Sequence, residues 1–339
     1  MKNKISHKSI INPTNFDVND CNDLWEKSKG TLKSFEQNVF WNINLNNDKL
    51  EVIKFYRGDE NIGYCVVKNK LFLKEILFGP ILADENDLID IINHFPKLYK
   101  FTKCIGLEIQ LPYSSSFTAA TKLDSNKYIK EINHFWCTQL LDIEKPLNII
   151  INNFSKNHKR SIKKSDSSVV NLRRIKTEKD ILSFVTLYKT MYKRKGIKSE
   201  FNNPSKTISK MIKLITKNNI GLCLGVFTNE KLIGGVIMLY QGDSVFYRIG
   251  CTDEKFKKTP ILHLAFLETI KIAKSNNLKY FDLGGFAVNP DTQLSGINRF
   301  KTGFGGMTIN YPKKIIIQYK PMLYKFLSFL IKTKRKANL

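Results

Sequence analysis

Arg299, Phe300 and Lys301 stand together in "GINRFKTGFGG", and the residues that follow include glycines at 303, 305 and 306. Glycine lets a backbone approach another group closely, so a lysine set between such glycines and an aromatic ring can deliver one fixed positive charge. Upstream, "KYFDLGGF" carries a mostly apolar run to Asp282 and the pair Gly284-Gly285. This pattern predicts a strand over 280–283, buried on both faces. Asp282 then stands near its end, and the glycines release the chain into a loop. The bland alternative for the lysine segment is a tight hairpin with a solvated cation. The segment by itself is compatible with both.

Other chemistries lack their residues. The chain contains no H-E-x-x-H, no G-x-S-x-G and no G-x-x-x-x-G-K-[ST], which leaves zinc hydrolysis, serine hydrolysis and P-loop chemistry unsupported. Six cysteines at 21, 65, 104, 137, 223 and 251 are scattered singly, and read as reduced, partly buried thiols of a cytoplasmic protein. No N-terminal apolar core suggests a secretory signal, and no window is apolar enough for a spanning helix.

Charge is the strongest compositional signal. The 339 residues hold 55 Lys+Arg against 30 Asp+Glu, a formal charge of +25. A polyanionic partner follows: RNA, a nucleotide-linked substrate or an anionic membrane surface. In "FSKNHKRSIKKSD", Lys156, Lys159, Arg160, Lys163 and Lys164 share one face of a predicted helix with no acid among them. Like charges at this spacing repel, so the stripe opposes local stability and points to anion binding rather than a solvated face. After Asp291 no carboxylate appears. The terminal "PMLYKFLSFLIKTKRK" reads as a docked helix or as one lying on an anionic bilayer.

The elements that must position these residues are written twice. "FYRGDENIGYCVV" and "VFTNEKLIGGVIM" share a strand, turn, Ile-Gly, strand plan that matches Gly63 with Gly234. Gly79 and Gly250 form a second matched pair, and a helix-like stretch and a further strand follow each copy. Glu108 and Asp282 fall at corresponding places. The expected fold is α/β (α+β), two similar units with mixed central sheets flanked by helices. The expected boundaries are 1–148, 149–315 and a basic C-terminal helix over 316–339, with Pro146 marking the linker.

In that order and spacing, "FSKNHKRSIKKS", "LYKTMYKRKGI", "GGVIMLYQGDSVFYRIG" and "YFDLGGF…GINRFKTGFGG" resemble the FemABX-type aminoacyl transferases that build peptidoglycan side bridges, most strongly over 150–306. The resemblance implies tandem GNAT-like domains, and it matches the shorter members that lack a coiled-coil arm. It also implies transfer of an amino acid from aminoacyl-tRNA to an amine of a nucleotide- or lipid-linked cell-wall precursor, with no cofactor. The protein is expected to be a monomer in the cytoplasm, with a peripheral contact at the inner membrane face.

The family's Phe-Lys dipeptide falls on Phe300 and Lys301, so the resemblance makes Lys301 the cation that answers a tetrahedral oxyanion. Glu108 falls on an acidic position considered for the base or orienter of the amine. Phe300, Arg248, Asp282 and Arg299 are the substrate-contact candidates, with a structural role for Asp282 as the alternative, and the stripe from Lys156 to Lys164 is the tRNA candidate. Two departures bear on substrate: Arg248 stands where aromatics are frequent, and "WNINLNN" from Trp41 replaces basic residues associated with a nucleotide diphosphate. Two rival readings are an acyl-CoA-dependent N-acyltransferase acting on an amino sugar, using acetyl-CoA or another acyl-CoA, and a non-enzymatic RNA-binding module. Against the first, "RIGCTDEKFKKTPILHL" lacks the glycine loop that binds pyrophosphate.

Overall fold

A computed structural model describes residues 4–28, 33–45, 50–70, 72–113, 129–132, 136–165, 170–288 and 292–337. The chain forms two compact units, one of Met1–His134 with Tyr311–Leu339 and one of Phe135–Asn310.

The first unit runs β1 (Ile5–Ile11), α1 (Asn15–Lys27), α2 (Val39–Leu45), β2 (Glu51–Arg57), β3 (Glu60–Lys70), β4 (Leu73–Leu77), β5 (Ile81–Leu82), α3 (Leu88–His94), β6 (Gly106–Gln110) and β7 (Ile129–Ile132). The second contains β8 (Trp136–Asp142), α4 (Leu147–Asn152), α5 (Lys156–Ser165), β9 (Asn171–Arg174), α6 (Glu178–Arg194), α7 (Pro204–Asn218), β10 (Gly221–Thr228), β11 (Lys231–Gln241), β12 (Ser244–Thr252), α8 (Ile261–Ser275), β13 (Tyr280–Ala287), α9 (Thr292–Thr302) and β14 (Met307–Asn310). The chain then returns to the first unit as β15 (Lys314–Gln318) and α10 (Pro321–Ala337).

Both sheets have one plan. The first is ordered β1-β2-β3-β4-β6-β15-β7, with β5 also on β3, and the second β9-β10-β11-β12-β13-β8-β14. In each, an antiparallel meander meets one parallel pair, β4 with β6 or β12 with β13, and two antiparallel strands complete the far edge. The repeat extends to register. Phe55 opposes Gly63 and the ladder then slips to Tyr56–Asn61, just as Val226 opposes Gly234 and slips to Phe227–Leu232. A Cβ at Gly63 would meet the Ile81 carbonyl at 2.8 Å and one at Gly234 the Cys251 carbonyl at 2.6 Å, so both positions exclude a side chain.

The second expected pair is displaced by one residue. Tyr64 opposes Ile81 and Gly235 opposes Cys251, which brings Pro80 rather than Gly79 into correspondence with Gly250. Gly250 does not close a strand but lies within β12.

The boundaries also differ from the expected ones. The segment over 136–142 precedes Pro146, yet β8 is the buried neighbour of β13 in the second sheet. The run "KIIIQ" of β15 pairs with β6 and β7, so the first unit ends with residues that the sequence assigned to the second domain and the tail. A parallel pair leaves the inner strand edge open, and each sheet closes that edge with a strand remote in sequence from its meander.

Each unit has its own core. In the first, Ile53, Phe55, Cys65 and Ile76 pack with Ile91, Phe95, Leu107 and Ile317. In the second, α8 sets Ala265, Phe266 and Ile270 against Val226, Val236 and Met238 of the sheet. Local signals start the helices. Thr14 and Asp17 form a reciprocal capping box on α1, and Asn203 caps α7 directly before Pro204. All six cysteines are buried free thiols.

Candidate active site

The lysine segment is a helix, not a hairpin. Arg299, Phe300 and Lys301 lie in the last turn of α9, where the Gly303, Phe304 and Gly305 amides close on the carbonyls of Arg299, Lys301 and Thr302. Gly305 and Gly306, with φ of +74° and +82°, then turn the chain into β14, a conformation that glycine adopts without a Cβ penalty.

Strand β13 likewise continues through its glycines. Its register with β8 slips between Asp282 and Gly285, so Leu283 and Gly284 share the place opposite Gln139, and Gly284 has φ +75°. This bulge presents two successive carbonyls. Lys301, only 7% exposed, donates from Nζ to the Gly284 oxygen at 3.1 Å and the Gly285 oxygen at 2.8 Å. Asp282 holds the bulge from inside, its Oδ1 accepting the Gly284 amide at 2.8 Å and the Thr138 hydroxyl. Burial pulls the Lys301 ammonium down to about 8, while the Asp282 carboxylate opposes the shift. An ammonium has three N–H donors, and two are spent on carbonyls.

The Nζ also lies 5.9 Å from the Tyr247 ring centre, and both residues line a cavity. This cavity, of about 740 Å³, opens in the second unit, walled by Tyr247 to Gly250 of β12, by Gly285, Phe286 and Ala287 of β13, and by Phe300 and Lys301. Its origin is topological. β12 and β13 pair in parallel only from Ser244–Tyr280 to Phe246–Asp282, and the cavity occupies the region beyond that point.

A second bulge, between the Ile237–Ile249 and Met238–Tyr247 pairs, leaves Arg248 as the extra residue of β12. Its guanidinium lines the cavity and makes a bidentate pair with Glu200, at 2.8 and 2.9 Å, above the Phe201 ring. Lys195, Arg248 and Lys301 face the cavity against the single carboxylate of Glu200, among the described residues, so its charge favours an anionic ligand group.

The basic segment is the helix expected. Lys156, Arg160, Lys163 and Lys164 are exposed on α5, and Lys159 is half-buried with its Nζ on the Asn152 carbonyl at 3.2 Å. The opposite face carries His158, which ties α5 to α9: Nε2–H donates to the Phe300 carbonyl at 2.9 Å, and Nδ1 accepts the Ser155 hydroxyl at 3.0 Å. The Ser155 amide donates to the Gly303 carbonyl at 2.8 Å. Gly303 therefore opens no space for a ligand, because a Cβ there would stand 2.2 Å from the His158 ring. His263, Phe300 and Phe304 complete an aromatic packet around the imidazole.

Three candidates are absent from the cavity wall. Asp282 is fully buried and sets the bulge, a structural role. Arg299 is exposed on α9 and is absent from the cavity wall. Glu108 belongs to the first unit, on β6. Its carboxylate is ion-paired with Lys314 and accepts the Tyr324 hydroxyl at 2.8 Å. Burial alone would raise its pKa, but these two bonds outweigh it and hold the group below its ordinary value, so it is a poor proton acceptor. Glu200 and His158 escaped the sequence reading. His158 lies inside the basic segment, and its place on the helix face opposite the cations was the available signal.

Residues 152–302 match the family model described as an Acetyltransferase (GNAT) domain. A curated relative, lipid II:glycine glycyltransferase of Staphylococcus haemolyticus (strain JCSC1435), is 26% identical over 161 residues, covering 43% of this chain and 38% of the relative's length. In fold, the chain resembles FemX with a TM-score of 0.72 at 12% identity, covering 94% of this chain and 99% of that one. A tandem GNAT protein from the clavulanic acid biosynthesis pathway gives 0.55 at 8% identity, over 94% and 99% of the two chains. The C-terminal domain of a putative lysylphosphatidylglycerol synthetase from Agrobacterium fabrum gives 0.61 at 9% identity, over 89% and 92%. Among the described residues no helix is long and apolar enough to cross a membrane, and no group of three or more His, Cys, Asp or Glu is placed to hold a metal ion.

Proposed function

We propose that this chain, a tandem GNAT-fold protein of the FemABX type, transfers an amino acid from the ester of an aminoacyl-tRNA to a primary amine of a peptidoglycan precursor. One observation carries the reading: Lys301 is a nearly buried cation, fixed by the Gly284 and Gly285 carbonyls, in the wall of the cavity. When the neutral amine attacks the ester carbonyl, a C–N bond forms and the carbonyl oxygen takes the negative charge. Collapse then breaks the C–O bond, the ribose oxygen leaves, and it gains the proton that the amine loses. The Lys301 N–H answers the transient oxyanion, and in a water-poor site that interaction is worth a few kcal/mol. The Arg248–Glu200 pair offers both signs of charge for orienting a substrate, and the α5 stripe supplies cations for the tRNA backbone. A lipid-linked acceptor is the chemistry that the glycyltransferase likeness supports.

The acyl-CoA reading is disfavoured by the connection from β12 to α8. A pyrophosphate needs free amides at a helix start. Here the connection has no glycine loop and carries two carboxylates ahead of α8: Asp253 accepts the Lys255 amide at 3.0 Å, and Glu254 pairs with Arg194. The test is incubation of the full chain and a lipid-linked pentapeptide precursor with radiolabelled aminoacyl-tRNA or radiolabelled acetyl-CoA. Label should enter the precursor from the tRNA alone. Entry from acetyl-CoA, or from neither donor, would overturn the proposal.

A further inference from the structure

The outer face of α10 is apolar and open to solvent. Met322 is 86% exposed, Leu323 52%, Phe326 61% and Phe329 63%. Positions i, i+1, i+4 and i+7 lie within one arc of a helix, so these side chains form a single stripe. The helix is nevertheless docked. Tyr324, on the other side, is buried against the bare Cα of Gly106, where a Cβ would meet its ring at 2.5 Å, and its hydroxyl binds Glu108. The inner face is thus fixed by one specific contact, and the apolar face is directed outward by it.

A further ring stands near the start of α10. The Lys320 amide donates to the Ile105 carbonyl, and the Ile105 amide to the Phe72 carbonyl. Phe72 is 52% exposed. The charge of α10 has one sign. The sequence of α10 includes Lys325, Lys332, Lys334, Arg335 and Lys336 and no acidic residue. A protein partner would usually answer such a face with its own carboxylates and a shaped groove. A sheet of anionic headgroups over acyl chains answers both the apolar stripe and the uniform basic charge.

We propose that α10, with Phe72, lies in the plane of an anionic phospholipid surface and holds the protein on it, its apolar side chains at the headgroup boundary. Binding to such a surface is separate from the transfer reaction, since it is measured with neither donor nor acceptor present.

The test is cosedimentation of the full chain with vesicles of phosphatidylglycerol and phosphatidylcholine in equal parts, and with phosphatidylcholine alone. The wild type should pellet with the mixed vesicles, bind phosphatidylcholine weakly, and release as salt approaches about 1 M, where the Debye length is roughly 3 Å. A Leu323→Ser/Phe326→Ser double variant should keep its thermal midpoint, because both side chains are exposed, and lose about tenfold or more in partitioning. A wild type that stays in the supernatant, or a variant that pellets equally well, overturns the proposal. So does a wild-type dimer in sedimentation velocity that the double variant dissolves while neither protein binds vesicles, because the stripe then belongs to a second copy.

Discussion

The imidazole Nε2 of His158 donates to the carbonyl of Phe300 at 2.9 Å, and Phe300 directly precedes Lys301. The helix that carries the basic stripe and the helix that carries the buried ammonium are therefore joined by one hydrogen bond near the charge. The cation is positioned from two sides: by the carbonyls of the β13 bulge in front and by α5 behind.

Lys301→Met should lower turnover by at least about a hundredfold while leaving substrate affinity much less affected, because the charge it answers exists chiefly in the transition state. The fold should persist, since a buried cation gives way to an apolar side chain of similar length. Steady-state kinetics with a thermal melt checks both. A Met variant with near-normal turnover would place the chemistry elsewhere.

The pH profile follows from the same group. Burial lowers its pKa from 10.5 to about 8, so the cation is present below about pH 8 and lost above it. The rate should fall as pH rises through about 8. For stability the sign is opposite: the unfolded chain holds this proton up to the ordinary value, so the group makes folding more favourable as pH rises from about 8 to 10.5. In Lys301→Met both effects should vanish, which kinetic and denaturant titrations across this range will read.

Gly303→Ala should destabilise the second unit by about 1–3 kcal/mol, as overpacking does, because the new methyl meets a ring pinned between Ser155 and Phe300. Urea titration measures the loss. Gly196→Ala is a poor control, since its φ of +64° adds strain of its own, whereas Gly296→Ala meets nothing within 4 Å and should be neutral or mildly stabilising.

Replacing Lys156, Arg160, Lys163 and Lys164 with Gln should weaken tRNA binding and flatten its salt dependence by roughly one counterion for each phosphate that is no longer neutralised. Filter binding across a salt series gives the slope. An unchanged slope would assign the stripe to solubility.

An acid limb is expected in stability. His263 is pulled down to about 4 by burial and by the neighbouring His158, and burial lowers His158 as well, although its bond to the Phe300 carbonyl opposes this. Both rings are neutral in the fold and protonate more readily when unfolded, so stability should fall as pH drops from 6.5 toward about 4. Ser155, Phe300 and Phe304 face the pair and offer no carboxylate to stabilise the charged form. Denaturant midpoints for the wild type and His263→Phe, which should lose part of the limb, check this.

The sequence alone determined the repeated α/β plan, because a Gly that admits no side chain at a ladder slip must recur wherever the slip recurs, as at Gly63 and Gly234. It also determined the basic face of α5, since helical spacing fixes which side chains share a face. It singled out Lys301 by its neighbours. Only the tertiary structure decided what holds that lysine. The Gly284-Gly285 pair reads as a strand end, because a bulge and a loop use the same residue types, and the difference lies in whether β8 continues alongside. Strands β8 and β15 crossed the expected boundaries for a related reason: a strand's partner is set by which sheet edge remains open, a property of the assembled sheet. Glu108 looked equivalent to a catalytic acid by position, and Lys314, more than two hundred residues away, committed it to an ion pair that local sequence does not record.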